Sequence, residues 1–220
     1  MEETQLIQKI TKEVLQLIIQ KEAPVREVEA DSRIPIGVSV RHVHLSREDL
    51  DKLYGGDYEL TKKNDLSQPG TFAANEVVTI IGKRLRSISE VRVLAPLRKQ
   101  TQVELTRTDC IILGVDAPVR PSGDLRGSAS IVLVGPKGSV NLNEGAIRAN
   151  RHIHCDESDV KRLGLKNGDI VTVRIPGEKE TIFKNVQVRV TPDSVLEMHI
   201  DTDDANAADV VCGTCAELVR

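Results

Sequence analysis

The sequence predicts a mainly β protein of two related small β-barrel domains with short helices, preceded by an N-terminal amphipathic helix. Three observations lead to this fold class: short runs rich in Val and Ile recur along the chain, long helical patterns do not alternate with them, and one segment occurs twice. A doubly wound parallel sheet requires regular alternation of strands and helices, so small barrels fit the pattern better.

The chain begins with apolar side chains at helical spacing, which predict an amphipathic helix over residues 1–22. The charged, proline-containing stretch that follows predicts a linker over 23–33. This helix can pack on the body, pair with another subunit, or act as a detachable docking peptide. An isolated helix of this length is only marginally stable, which favours packing.

Most of the remaining chain is predicted to form short strands, because β-branched runs are bounded by Gly, Pro, Asp or Asn. The predicted strands are IPIGVSV (34–40), EVVTIIG (76–82), EVRVLAP (90–96), QVELTRT (102–108), ASIVLVG (129–135), DIVTVRIPG (169–177) and VQVRVTP (186–192).

An internal duplication organises these strands. RHVHLSREDLDKL (41–53) matches RHIHCDESDVKRL (151–163) at a constant offset of 110 residues. Each copy is predicted to end a strand and continue into one small helix, N-capped by Ser46 or Asp156 and ending near a glycine-containing turn. The chain is therefore interpreted as two related β-rich repeats.

The chain has only five histidines, and four of them form two matched pairs, His42 with His44 and His152 with His154. In a strand, residues i and i+2 point to the same face, so two imidazoles at this spacing can converge on one metal ion. One such pair is a weak signal, but two matched pairs in a histidine-poor chain predict metal binding.

Each pair needs a third ligand from another strand, and the candidates are His199 in VLEMHIDTDD and Glu104 in TQVELTRTD. A lone strand histidine is more often hydrogen-bonded in a core, and a strand glutamate is more often exposed. Sets of nitrogen and oxygen ligands suit zinc, although cobalt, iron or nickel would fit, and three protein ligands leave a position open for chemistry. Arg98 in PLRKQ offers a fork for phosphate or carboxylate, or is a solvated loop charge.

Composition argues against several classes of function. Aromatic residues make up 2%, Trp is absent and the net charge is −3, which disfavours a nucleic-acid surface. No run approaches the ~20 apolar residues of a membrane span, and no secretory signal is visible. The four cysteines predict reduced thiols in the cytosol, and the spacing of Cys212 and Cys215 leaves a zinc, redox or purely structural role open.

Five separated motifs, in order, together resemble the phosphate propanoyltransferases, the PduL-type phosphotransacylases. The match runs from Ile34 to the C-terminus. The motifs are RHVHLSREDL (41–50), NDLSQPGTFAANE (64–76), LAPLRKQTQVE (94–104), RHIH (151–154) and EMHIDTDDAN (197–206).

The resemblance implies interconversion of a short-chain acyl-CoA (propanoyl-CoA or acetyl-CoA) and inorganic phosphate with an acyl phosphate and CoA. Two zinc ions would lie between the barrels, and coenzyme A would be substrate or product. Arg98 would bind the phosphate, which would attack the thioester directly at the dinuclear zinc site, and Cys155 would not act as a nucleophile. One zinc would be held by His42, His44 and Glu104, with its open position available to the CoA sulfur, and the other by His152, His154 and His199. The implied CoA contacts are Ser39, Arg92, Leu94 and Asn206.

The resemblance also implies interleaved domains, one formed by 34–41 plus 150–220 and the other by 42–149. It implies a homo-oligomer located in the cytoplasm or in the lumen of a bacterial microcompartment, where 1–22 would be an encapsulation peptide that contacts the shell. Two rival functions remain open: a binuclear metallohydrolase, and a non-catalytic protein with closed zinc sites.

Overall fold

The computed structural model describes residues 32–219, which form strands and short helices. The predicted helix over 1–22 and nearly all of the predicted linker lie outside the described residues, and Arg33 already begins the first strand. The strands are β1 (Arg33–Ser39), β2 (His42–His44), β3 (Lys62–Asp65), β4 (Phe72–Ile81), β5 (Ser87–Ala95), β6 (Gln102–Glu104), β7 (Val119–Arg120), β8 (Ala129–Val134), β9 (Ser139–Ala149), β10 (His152–Cys155), β11 (Ile170–Ile175), β12 (Thr181–Val190), β13 (Glu197–Asp201) and β14 (Cys215–Leu218). The helices are α1 (Arg47–Tyr54), α2 (Arg107–Leu113), α3 (Glu157–Leu163) and α4 (Thr202–Ala208), with one 3₁₀ turn at Lys83–Leu85.

The strands close into two barrels. The ring β1-β13-β10-β12-β11-β14 is called the C-terminal barrel. The ring β4-β5-β2-β6-β9-β8 closes because β8 pairs with both β9 and β4, and it is called the N-terminal barrel. Strand β3 adds to β4, and β7 adds to β9. The predicted fold class, mainly β with two small barrels, is confirmed.

The two sequence repeats exchange their first strands, so each barrel contains one strand from the other repeat. Strand β1 precedes β2 in sequence but pairs with β13 and β14 of the C-terminal barrel, and β9 precedes β10 but pairs with β6 and β8 of the N-terminal barrel. Two residues separate each exchanged strand from the following histidine strand. The chain therefore crosses between barrels immediately before each histidine pair. Contacts group the described residues into one unit, and the division into 34–41 plus 150–220 and 42–149 stays a prediction.

Each barrel has its own apolar core, and each histidine pair straddles a core residue. Val43 in β2 and Ile153 in β10 are fully buried, each in the separate cluster of its barrel. Side chains alternate across a strand, so the histidines on either side of these residues face away from the core. The packing of one central residue thus fixes the direction of two imidazoles.

The predicted helix after each histidine pair is present. Ser46 Oγ accepts a hydrogen bond from the backbone N–H of Asp49 (3.2 Å), and a side-chain oxygen of Asp156 accepts one from the N–H of Asp159 (2.8 Å). The first helix ends at Gly55, as expected. The second ends at Gly164, earlier than the predicted turn at 167–169, because Gly164 adopts the left-handed conformation that terminates helices.

Each repeat also contains a second helix that the sequence analysis did not predict. The predicted strand over 102–108 stops at Glu104, and Thr106 begins α2 through a reciprocal capping box with Asp109. Asp201 caps α4 at the end of β13, where its side chain accepts a hydrogen bond from the backbone N–H of Asp204. The β-branched threonines in 102–108 suggested a strand, but the Thr106 hydroxyl serves the helix cap instead.

Candidate functional site

The first candidate ligand set lies where β2 meets β6. His42 stands opposite Glu104 in the antiparallel ladder. The Nε2 atoms of His42 and His44 lie 3.6 and 3.9 Å from the Glu104 carboxylate oxygens. All three side chains are largely buried, with His42 and His44 only 7% and 8% exposed. Two adjacent strands thus bring three predicted ligands into one cluster.

The second set repeats this arrangement in the other barrel. His152 in β10 stands opposite His199 in β13, the same register that joins His42 to Glu104. The Nε2 atoms of His152 and His154 are 3.1 Å apart, and the His199 ring centroid lies 5.2 and 4.7 Å from those of His152 and His154. Three imidazole rings therefore face one another edge to face.

A backbone carbonyl orients the first histidine of each set. His42 Nδ1 donates to the carbonyl oxygen of Val40, and His152 Nδ1 donates to that of Asn150, both at 2.8 Å. A carbonyl can only accept, so Nδ1 carries a proton and Nε2 faces the cluster. Fixing one ring nitrogen in this way is how proteins present the other to a metal.

The electrostatics leave most of these imidazoles neutral. Burial lowers the pKa of His44 and His152 to about 3 and that of His154 to about 4. Burial also lowers the pKa of His42, but the charge and hydrogen bond of Glu104 outweigh it and the net pKa is raised. Burial raises the pKa of the Glu104 carboxyl, yet His42 holds it well below its usual range, so Glu104 is ionised.

Both sets fit a metal ion by their donor chemistry. Among residues 32–219, the groups of three or more His, Cys, Asp or Glu whose ligand atoms lie within 4.8 Å of one another are these two sets. Metal binding requires neutral imidazoles and an ionised carboxylate, which are the states that burial favours at His44, His152 and His154 and that His42 favours at Glu104. The 3.1 Å between two imidazole nitrogens is close to the separation of neighbouring ligands on a tetrahedral zinc with bonds of about 2.0–2.1 Å. The metal itself stays a prediction.

The third residue of each candidate set is hydrogen-bonded to the side chain two positions before it. Gln102 Nε2 donates to Glu104 Oε1 (2.6 Å), and Glu197 Oε2 accepts from His199 Nε2 (2.6 Å). The partner matches the ligand chemically, since an amide donates to a carboxylate and a carboxylate accepts from an imidazole. Gly37 leaves room for the Glu197 carboxylate, because a Cβ there would lie 2.7 Å from Glu197 Cδ.

Each crossing between barrels is anchored by an ion pair. Arg41 Nε bonds Asp109 Oδ1 at 2.6 Å, and Arg151 grips both oxygens of Asp204 at 2.8 and 2.7 Å. The acids lie in the first turns of α2 and α4. These arginines directly precede His42 and His152, so the ion pairs hold the start of each histidine strand in place.

Both sets open onto one cavity of about 830 Å³ between the barrels. Arg98 lines it, with Nη2 2.9 Å from His44 Nε2 and Nη1 2.8 Å from Ser122 Oγ. Of the predicted CoA contacts, Ser39, Arg92 and Leu94 line the cavity. Asn206 does not; it lies exposed on α4, where its carbonyl oxygen accepts from a lysine.

The cysteines occupy contrasting positions. Cys155 is fully buried next to His154, and burial raises the pKa of its thiol to about 11. Cys212 is exposed and lines the cavity, with Sγ 3.3 Å from the backbone nitrogen of Val38, while Cys215 starts β14. The buried thiol is poorly suited to act as a nucleophile, because the thiolate is the reactive form.

Several residues at the site were missed by the sequence analysis. Gln102 and Glu197 were detectable, since each stands two residues before a predicted third ligand and shares its strand face. Asp109 and Asp204 were detectable only as acids that follow a helix N-cap by three residues. Arg189, which lines the cavity beside His154, carried no signal, because an arginine in a strand is ordinarily a solvated face residue.

The fold and the site together define a two-barrel protein with paired three-residue candidate metal sites on a shared cavity. The family model for phosphate propanoyltransferase matches residues 35–211. Phosphate propanoyltransferases from Lachnoclostridium phytofermentans, Thermotoga maritima and Salmonella typhimurium are similar over most of the chain. The first is 50% identical over 97% of this chain and 97% of its own, the second 50% over 85% and 89%, and the third 46% over 90% and 92%.

The chain therefore belongs to the phosphate propanoyltransferase family and is an acyltransferase. No helix among residues 32–219 combines the length and apolar character needed to cross a membrane.

Proposed function

We propose that this chain transfers a short acyl group, propanoyl or acetyl, between coenzyme A and inorganic phosphate at the cavity between the barrels. A phosphate oxygen attacks the thioester carbonyl, a C–O bond forms, the C–S bond breaks, and CoA leaves as the thiolate. The observation that carries the proposal is that both three-residue sets and Arg98 line or adjoin one cavity, which brings an anion site beside two candidate metal sites.

Two zinc ions fit the proposal. His42, His44 and Glu104 would hold one and His152, His154 and His199 the other. Bound zinc would supply a Lewis acid for the charge that develops on the carbonyl oxygen and the leaving sulfur. Three protein ligands in each set leave room for exchangeable groups, which is the pattern of catalytic sites and not of closed structural ones.

The remaining roles belong to the chain's own polar groups. Arg98 binds phosphate and orients it against the electrophile, which lowers the entropic cost of the encounter. Its guanidinium forms no ion pair with any residue of the described range, so it keeps its charge for a ligand. CoA contacts Ser39, Arg92 and Leu94 on the cavity wall. To contact Asn206 as well, CoA would extend beyond the edge of the cavity.

Direct attack requires no acyl-enzyme. Supporting this, Cys155, the cysteine nearest the histidines in sequence, is fully buried and its thiol is held protonated. The alternative of a binuclear hydrolase requires water in place of phosphate as the nucleophile.

The decisive experiment measures CoA release and acyl phosphate formation from acetyl-, propanoyl- and butanoyl-CoA, with and without phosphate and chelator. We expect release to require phosphate, to stop after chelation and to return on adding zinc. Release that is undiminished without phosphate would establish hydrolysis instead, and failure of zinc to restore activity would count against zinc.

The proposal extends to location and assembly. The chain would act as a homo-oligomer in the cytoplasm or in a microcompartment lumen, with residues 1–22 as the encapsulation peptide in the second case. A fusion of 1–22 to a fluorescent reporter tests this: punctate signal in shell-building cells is expected for encapsulation, and diffuse signal there would exclude it.

A further inference from the structure

Arg189 is a second guanidinium on the ligand face of the site. It lies in β12, where it stands opposite His154 in the parallel ladder between β10 and β12. Its strand neighbours Val186 and Val188 are fully buried in the core, so Arg189 is on the face that points away from the core. The side chain is half-buried and lines the same cavity as Arg98.

Neutral amides hold this guanidinium in place. Arg189 Nη2 donates to Asn150 Oδ1 at 2.8 Å, and Nε donates to Gln187 Oε1 at 3.3 Å. Asn150 Nδ2 in turn donates to Gln187 Oε1 at 3.0 Å. These contacts position the fork without neutralising it, and they leave Nη1 without a hydrogen-bond partner among the described residues.

Two of the arginines that line the cavity, Arg98 and Arg189, come from opposite barrels. Within residues 32–219, neither Arg98 nor Arg189 forms a salt bridge with a carboxylate. The carboxylates nearest the site are already engaged: Glu104 bonds Ser122 and Gln102, and Glu197 bonds Ser67 and His199. The charges of Arg98 and Arg189 repel each other while Glu104 attracts both, and a bound anion would add to that attraction.

We propose that Arg189 is a second phosphate-binding residue, which binds the phosphate from the C-terminal barrel while Arg98 binds it from the N-terminal barrel. The ligand class is a dianionic phosphate, either free or as the phosphoryl group of an acyl phosphate. A guanidinium fork engages two oxygens, so two forks hold the group in one orientation and balance its charge. This inference rests on the proposed function, because it assigns Arg189 to the same reaction.

The test compares Arg189→Gln, which removes the charge, with Arg189→Lys, which keeps the charge and loses the fork. Both are measured for the KM of phosphate and of acyl-CoA, for binding of inorganic phosphate by calorimetry, and for metal content and thermal midpoint. Arg84→Gln, at an exposed position in the 3₁₀ turn, is the matched control. We expect Arg189→Gln to raise the KM and Kd for phosphate by about tenfold or more, with the KM for acyl-CoA unchanged. Arg189→Lys should fall between Arg189→Gln and the wild type.

A purely structural role for Arg189, acting through Asn150 on His152, predicts a different result. In that case Arg189→Gln would lower metal content or the thermal midpoint while the phosphate KM and Kd stayed at wild-type values, and the inference would be overturned. The variant Arg98→Gln distinguishes failure of the role assigned to Arg189 from failure of the proposed function. If Arg98→Gln weakens phosphate binding and Arg189→Gln does not, only the role of Arg189 fails. If the wild type releases CoA without phosphate, the proposed function itself fails.

Discussion

Asp109 offers the sharpest test of how the helices support the site. It is fully buried in the first turn of α2, where one oxygen bonds Arg41 Nε at 2.6 Å and the other accepts the backbone N–H of Thr106 at 3.0 Å. Asp109→Asn keeps the shape of the side chain. The amide has only one oxygen, however, so one of these two donors must face an N–H₂ group instead of an acceptor.

The loss in the free energy of unfolding caused by Asp109→Asn follows from these contacts. Losing a hydrogen bond to a charged group costs about 1.5–3 kcal/mol, and a buried donor left facing another donor adds to this. The Arg41 side chain is 35% exposed and can turn toward water, which recovers part of the loss. We expect Asp109→Asn to lower the free energy of unfolding by about 2–3 kcal/mol, or the thermal midpoint by about 5–10 °C for a chain of this size.

The assay is urea and thermal unfolding followed by circular dichroism. Asp116→Asn is the control: Asp116 pairs with Arg107 at 3.2 Å but is 90% exposed, so its loss should cost no more than about 0.5 kcal/mol. Asp204→Asn, the counterpart in the other repeat, should resemble Asp109→Asn. If Asp109→Asn were no more destabilising than Asp116→Asn, the crossing segments would not depend on these ion pairs and the reasoning would be wrong.

The other predictions concern pH, catalysis and packing. Burial lowers the pKa of His44 and His152 below the value of about 6.5 in an unfolded chain. The unfolded state therefore binds more protons than the folded state. The urea concentration at the unfolding midpoint of metal-free protein should therefore decrease as the pH is lowered from 7 to 4, and a midpoint that does not change with pH would contradict neutral imidazoles. Cys155→Ser should keep acyl transfer and both metals, and loss of activity with metals retained would refute direct attack. Gly135→Ala should destabilise the fold by about 1–3 kcal/mol because its Cβ would lie 2.6 Å from a carbonyl oxygen of α1. Gly56→Ala, which has open space around it, should have little effect in the same unfolding assay.

The sequence was most informative where chemistry and repetition coincide. The duplicated histidine pairs led to two small barrels, and strand alternation led to Glu104 and His199, which the structure places beside those pairs. These inferences worked because a period of two and an internal repeat are local properties of the chain. The proposed metal and CoA roles of the same residues stay predictions.

What the sequence did not reveal depends on contacts between distant segments. Helices α2 and α4 were missed because their threonines and aspartates are equally compatible with strand ends and turns until a cap forms. Arg189 was missed because nothing local indicates that its strand adjoins β10. Burial and pairing decide such roles, and both are settled only when the chain is folded.

The exchange of first strands has a consequence for the origin of the two sites. Each repeat contributes five strands to one ring and one strand to the other, so a single repeat cannot close a barrel unless it borrows a strand from a second copy. Two separate copies would form a symmetric homodimer with identical sites. In one fused polypeptide the two sites no longer have to be identical, because each half can mutate independently. The third position of each candidate set, Glu104 in one half and His199 in the other, is a place where the symmetry has been lost, so the two candidate sites are no longer equivalent.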